Sequence, residues 1–101
     1  MNLIAASAEE AKSLILEAMG RLVADGTFSA EPLPAFNIEI PADRAHGDFA
    51  ANVAMVSAKA LHMAPRKIAE AIQSAMDLEG SRFDKVEIAG PGFMNFYLAQ
   101  K

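Results

Sequence analysis

The sequence predicts an α+β fold in which a small, mainly antiparallel sheet packs on helices. Three segments carry apolar residues at helical spacing, and three shorter segments alternate apolar and polar residues as half-buried strands do. The last two of these strands flank Gly90-Pro91-Gly92, which predicts a hairpin turn. The predicted order is therefore α-β-α-α-β-β within a single domain of residues 1–101.

The first helix is predicted from about Ala8 to Ala24. Ser7-Ala8-Glu9-Glu10 fits the capping box, and Gly26 is typical of a residue that closes a helix. The apolar residues that follow the helical period are Ala11, Leu14, Ile15, Ala18, Met19 and Leu22.

A short strand and a polar loop follow the first helix. Phe36, Ile38 and Ile40 alternate with polar residues, and Pro41 ends the strand because it can donate no ladder hydrogen bond. The loop is predicted from Pro41 to Asp48.

The second helix is predicted to begin at Phe49, with Asp48 as its N-cap. The alanine content rises from this point. The residues predicted to share its buried face are Val53, Val56 and Ala60, widened by Ala50, Ala54 and Leu61.

Pro65 suits the first turn of a third helix, and Gly80 lies beyond its end. The predicted buried stripe of this helix is Ile68, Ala69, Ile72, Ala75 and Met76.

Two strands close the sequence as predicted hairpin partners. Val86 and Ile88 alternate with Lys85, Glu87 and Ala89, and the segment from Phe93 to Leu98 alternates between two faces. The first strand could also pair in parallel with a later one, because two helices intervene.

We interpret Phe93, Phe96 and Tyr97 as packing residues. Base stacking is the lesser alternative, since Phe93 and Tyr97 share a face.

The composition excludes several classes of protein. Cysteine is absent, which excludes a disulfide scaffold, a thiolate metal site and a cysteine nucleophile. No apolar run is long enough to span a membrane, and the first residues do not have the pattern of a secretory signal. The net charge of −4 argues against a free-standing nucleic-acid binder, although it leaves room for a local basic patch.

One stretch of the chain is basic. Between Val53 and Ala69 there are three cations, Lys59, Arg66 and Lys67, and no acid, which gives a local charge of +3. The cluster is either ordinary solvated surface or a weak phosphate-contacting patch whose binding would fall steeply with salt.

The tripeptide His46-Gly47-Asp48 has two interpretations. A histidine beside an aspartate can form a catalytic pair, but no third residue completes a triad. We favour a turn at Gly47 followed by the Asp48 cap. His62 lies at the other end of the predicted second helix, too far from His46 to share a metal ion, and is interpreted as a solvated residue.

Four segments together resemble a known family. They are Ile38–Pro41 (IEIP), His46–Ala54 (HGDFAANVA), Ala64–Ala69 (APRKIA) and Val86–Phe96 (VEIAGPGFMNF). In order and spacing they resemble the N-terminal additional domain of arginyl-tRNA synthetase over essentially the whole chain. Ala51 departs from the family, which often has a polar residue there.

The resemblance implies a role in aminoacylation that resides mostly outside this chain. The whole enzyme activates arginine with ATP, assisted by Mg²⁺, and transfers it to the tRNA for arginine. The catalytic domain and its signature motifs are absent from these residues. The resemblance therefore implies that this chain has no catalytic residue, metal or cofactor of its own and should not aminoacylate. It also implies a cytoplasmic protein that does not bind membranes.

The family's domain packs beside the catalytic domain and contacts the D-loop of the tRNA. Carried over onto the matching motif, the implied tRNA-binding residues are His46, Asp48, Phe49 and Asn52. Arg44 is a further candidate phosphate partner without a motif position. Asp48 as helix cap and Asp48 as base reader compete, and we favour the cap. If Phe49 belongs to the core, His46 and Asn52 remain the better exposed candidates. Asn95 is interpreted as structural.

Two further functions stay open beside tRNA recognition. The first is a protein-docking module that packs on the catalytic domain without reading a base, which an exposed apolar patch would favour. The second is a stand-alone enzyme, which requires a concave site with convergent polar groups near His46.

Overall fold

The computed structural model describes residues 3–28, 36–41 and 47–99. The α+β class is confirmed, and the six predicted elements occur in the predicted order, with one additional strand after the first. In chain order the elements are α1 (Leu3–Ala24), β1 (Ile38–Glu39), β2 (Phe49–Ala51), α2 (Val53–Leu61), α3 (Pro65–Ala75), β3 (Phe83–Ala89) and β4 (Phe93–Leu98).

The four strands form one antiparallel sheet in the order β1-β2-β4-β3. The hairpin predicted around Gly90-Pro91-Gly92 is confirmed, with Ala89 opposite Phe93. The parallel alternative for the first strand is wrong, because among the described strands β1 pairs with β2 and runs antiparallel to it.

The core lies between one face of the sheet and the helices. From the sheet, Phe49 and Phe96 both pack edge-to-face against Phe83, with ring centroids 6.1 Å and 5.2 Å away. The buried helical residues that join them include Ile15, Ala18, Val53, Ile68 and Ile72.

The strand β2 was not predicted, and the Asp48 N-cap is wrong. Residues Phe49–Ala51 pair with β4 and so are held as a strand, which places the start of α2 at Val53. Asn52 occupies the N-cap position without a side-chain capping bond. Asp48 instead joins β4, because its Oδ2 accepts the Leu98 N–H at 2.9 Å. Its own N–H donates to the Phe96 carbonyl at 2.8 Å.

The capping box predicted at Ser7 is also wrong. The helix α1 begins at Leu3, so Ser7 lies inside it and is buried. The preceding Leu3, Ile4 and two alanines are good to moderate helix formers, which lets the helix extend upstream. Glu10 serves tertiary structure instead: its Oε1 accepts the Arg82 N–H at 2.7 Å, and Oε2 lies 3.4 Å from the Arg82 guanidinium.

The start of α3 is confirmed. Pro65 lies in the first turn, and Ile68, Ala69 and Ile72 are fully buried against the sheet and neighbouring helices. Between α2 and α3, His62 adopts the left-handed conformation at the C-cap of α2 and is exposed, as predicted for a solvated residue.

Candidate nucleic-acid interface

The face of the sheet opposite the core carries a cavity of about 440 Å³. Strand pairing explains its floor, because Glu39, Ala50 and Asn95 lie side by side on three strands, and Glu87 on β3 continues this row beyond the cavity. We call the side that bears this row the open face. The residues that line the cavity are Glu39, Pro41, Ala50, Ala89, Gly90, Pro91, Phe93 and Asn95.

Asn95 provides the amide at the floor of the cavity. It is only 5% exposed, and its side chain makes no hydrogen bond to any residue in the described ranges. Among the described residues, the fully buried side-chain atoms without a partner are Ser7 Oγ and Ser57 Oγ, so the Asn95 amide is reached by water from the cavity. The small side chain of Ala50 next to it leaves the amide accessible from the cavity.

Phe93 provides an aromatic surface beside that amide. Phe93 is 37% exposed, and it lies two residues before Asn95 on the same face of β4. Exposed aromatic rings stack on unpaired bases, and amides bond to base edges, so the pair has the two groups that single-stranded RNA recognition needs.

The cavity is poorly suited to acid–base catalysis. Among the described residues that line it, Glu39 is the single ionisable side chain. A proton-transfer site needs a second group within reach of the reacting atoms. The described residues also contain no group of three potential metal ligands. The arrangement favours binding over chemistry.

A charged cluster occupies the other end of the open face. Lys85 Nζ lies 3.1 Å from Glu87 Oε2 and 4.7 Å from the centroid of the Tyr97 ring. The pKa of Glu87 is lowered by its hydrogen bonds from Lys85 and Tyr97 and by the positive charge of Lys85. The pKa of Tyr97 is raised by loss of solvent and by the Glu87 hydrogen bond and charge.

This cluster predicts a shifted titration for the chain's single tyrosine. In a titration followed by phenolate absorbance, we expect the midpoint to lie above the ordinary value of about 10. Because the folded-state pKa is raised, the stabilising contribution is complete below the unfolded pKa and is lost as pH rises through the folded one. Glu87→Gln should lower the midpoint without returning it fully, since the solvent effect remains. Glu79→Gln is the matched control, and an equal shift in both variants would contradict the assignment.

Comparison with known proteins places the chain in a family. A sequence profile described as "Arginyl tRNA synthetase N terminal domain" matches residues 9–98, which is most of the chain. The chain belongs to this family. The resemblance inferred from the four sequence segments is therefore confirmed.

Curated relatives of the arginyl-tRNA synthetase N-terminal domain are much longer proteins. Arginine–tRNA ligase of Caldanaerobacter subterraneus is 43% identical over 98% of this chain and 18% of its own length. Arginine–tRNA ligase of Desulforamulus reducens is 47% identical over 89% of the chain and 17% of its own length. The chain thus spans about a sixth of the length of the curated relatives it matches.

The HGDFAANVA segment of this N-terminal domain is only partly described. Arg44 and His46 lie outside the described residues, so their assignment to tRNA stays a prediction. Asp48 is half-buried, and one carboxylate oxygen accepts the Leu98 N–H.

The other two tRNA-binding candidates in the segment have structural contacts. Phe49 is 4% exposed and packs on Phe83. It therefore belongs to the core, which is one of the two roles predicted for it from the sequence. Asn52 Oδ1 accepts the Asn37 N–H at 2.8 Å, and this bond fixes β1 beside the start of α2. The Phe49 ring is thus taken up by core packing, and the Asn52 Oδ1 atom by a backbone hydrogen bond, so neither group is free to contact a base in this conformation.

The basic patch predicted from the sequence lies at the surface of the domain. Lys59, Arg66 and Lys67 are all exposed. Arg66 Nη1 donates to the Gly90 carbonyl at 2.8 Å, which places this part of the patch at the rim of the cavity.

Sequence reasoning gave base stacking by Phe93 only as a lesser alternative and interpreted Asn95 as structural, so it did not predict the cavity that these two residues line. The alternation along β4 does put them on one face with Tyr97. The missing information was that, among the described elements, the helices cover the other face of the sheet. No helix in the described part of this domain has the length and apolar character needed to cross a bilayer.

Proposed function

We propose that this chain is the tRNA-contacting N-terminal domain of an arginine–tRNA ligase and binds the D-loop through the cavity on its open face. The observation that supports this proposal is the Asn95 amide, which opens onto the cavity beside the exposed Phe93 side chain. An unstacked loop base would stack on the ring and hydrogen-bond to the amide in place of water. The curated relatives are arginine–tRNA ligases, and tRNA is the natural RNA partner of such enzymes.

The rest of the parent protein would carry the chemistry. We propose that arginine, ATP and Mg²⁺ bind the catalytic domain of the parent protein in the cytoplasm. The N-terminal domain described here packs against that catalytic domain. The exposed Lys59 and Lys67 would contact phosphates near the bound loop. Since the net charge is −4, this chain alone should bind tRNA weakly and with strong salt dependence.

Docking to the catalytic domain without base contact is the alternative. The large exposed apolar residues in the described ranges are Leu16, Ile40 and Phe93. Leu16 lies on α1, and Phe93 lies on the open face. The apolar exposure is therefore divided between surfaces, and on the open face it lies beside the Asn95 amide that borders the cavity.

The test is a titration of a transcript of a bacterial arginine tRNA with the 101-residue chain, at low and at moderate salt. Phe93→Ala should weaken binding by about tenfold or more, because base stacking on an aromatic ring contributes about 1–3 kcal/mol. Leu16→Ala removes a comparably exposed apolar side chain away from the cavity and is the matched control.

The D-loop assignment needs a second RNA. In a second transcript, a minimal closing loop replaces the D-loop. The affinity of the wild-type chain for this transcript should be as low as the affinity of Phe93→Ala for the intact transcript. Equal affinity of wild type for both transcripts would show that the D-loop is not the ligand. Equal weakening by Leu16→Ala and Phe93→Ala would instead support a general apolar docking role.

A further inference from the structure

The turn that forms one wall of the cavity is held by the start of α3. Gly90 and Pro91 line the cavity, and the Gly90 carbonyl accepts a hydrogen bond from Arg66 Nη1 at 2.8 Å. The two residues are 24 positions apart in the chain, so this bond ties the hairpin to a different element. The orientation of the wall therefore depends on a residue outside the cavity.

A second contact holds the same turn at its other end. Gly92 is buried and has φ of +140°, and a Cβ at this position would lie 2.9 Å from Pro65 Cβ and 3.1 Å from the Pro65 carbonyl carbon. The backbone at Gly92 thus rests directly on Pro65. Adjacent residues of α3, Pro65 and Arg66, fix the two ends of the Gly90–Gly92 turn.

The placement of this turn sets the placement of the Phe93 ring. Phe93 follows Gly92 directly and is the first residue of β4. The Gly90 side of the turn shapes the opposite part of the same wall. A rotation of the turn would move the ring and the wall together, while Asn95, two residues further into the paired strand, would stay in register with Ala50.

We propose that Arg66 is a positioning residue for the cavity. It holds the Gly90–Gly92 turn in the orientation in which the Phe93 ring and the cavity wall formed by the turn can bind a flat, unstacked base. This inference rests on the proposed function. It assigns Arg66 a different role from that of the neighbouring Lys67, which is exposed, makes no hydrogen bond or ion pair in the described ranges, and is proposed above to contact phosphate. Arg66 acts on the RNA through the turn.

Salt dependence separates the two roles. Arg66→Gln and Lys67→Gln remove the same charge from adjacent positions of one helical turn. We expect Arg66→Gln to weaken binding of the arginine tRNA transcript by about threefold to tenfold at every salt concentration, in keeping with loss of one charge-assisted hydrogen bond. The slope of log affinity against log salt should stay at the wild-type value. Lys67→Gln should reduce that slope by about 1 if Lys67 contacts a phosphate.

Arg66→Lys supplies a rescue. A lysine keeps the charge and one donor, so it should recover part of the affinity if the Gly90 bond is what counts. A fall in the salt slope of about 1 for Arg66→Gln, with full recovery in Arg66→Lys, would show a direct phosphate contact and overturn the proposal.

The RNA-free chain gives an independent readout. Backbone amide NMR signals of Gly90, Gly92 and Phe93 should shift in Arg66→Gln and stay in place in Lys67→Gln. If the wild-type chain binds no tRNA, the proposed function fails for the isolated chain. Shifted signals would still support positioning of the turn, and unchanged signals would overturn it.

Discussion

Replacing Gly92 by alanine is expected to destabilise the fold by about 2–4 kcal/mol. The backbone there has φ of +140°, a region that L side chains rarely adopt. The added Cβ would lie 2.9 Å from Pro65 Cβ and within 3.2 Å of the Pro65 backbone carbonyl oxygen. Pro65 has little freedom to yield, because its ring is rigid and it begins α3. The hairpin must therefore move away from α3.

Urea unfolding followed by far-ultraviolet circular dichroism measures this effect. Gly20→Ala is the matched control, because Gly20 lies inside α1 with no atom within 4 Å of an added Cβ. That variant should be more stable than wild type by about 0.5–1 kcal/mol, since alanine is the better helix former. Equal unfolding midpoints for Gly92→Ala and wild type would contradict the predicted cost of an added Cβ against Pro65.

Replacing Phe96 by alanine should cost about 3–5 kcal/mol. Phe96 is fully buried at the centre of the sheet, paired with Phe49 on one side and Val86 on the other. Its ring packs edge-to-face against Phe83 at 5.2 Å. The surrounding strands are hydrogen-bonded on both sides, so they cannot collapse to fill the space that the ring leaves.

Phe93→Ala is the matched control for Phe96→Ala, because the two residues lie on opposite faces of the same strand. Since Phe93 is 37% exposed, it should contribute less than about 1 kcal/mol to the free energy of unfolding. Similar losses of stability in the two variants would mean that the open face is covered as the core face is. If Phe96→Ala does not fold, Phe96→Leu should still show a smaller loss in the same direction.

Local patterns in the sequence predicted most of the fold. The helical stripe after Pro65 and the glycine–proline turn before Phe93 are decided by residues close to one another in the chain, and both were predicted correctly. The strand β2 could not be predicted in this way. Its residues, Phe49, Ala50 and Ala51, suit a helix by composition, and pairing with a strand more than 40 residues away overrides that preference.

The candidate site shows the same limit. Alternation along β4 indicates that Phe93 and Asn95 share a face, but alternation alone does not say which face meets helices. That depends on where α1, α2 and α3 pack, a property of the whole fold. Asp48 is a second example. Its sequence context fits a helix cap, but its carboxylate accepts a hydrogen bond from the N–H of Leu98, the last residue of β4.

The strand order has a consequence for how the domain is made. In the described sheet, β4 lies between β2 and β3, so the strand pairing that joins β1 and β2 to β3 passes through it. During synthesis, a nascent chain that ends at the Gly90–Gly92 turn has all three helices but lacks the strand that joins the two halves of the sheet. Closure of the sheet must therefore wait until β4 has left the ribosome, so the apolar residues of the other strands stay incompletely covered until then.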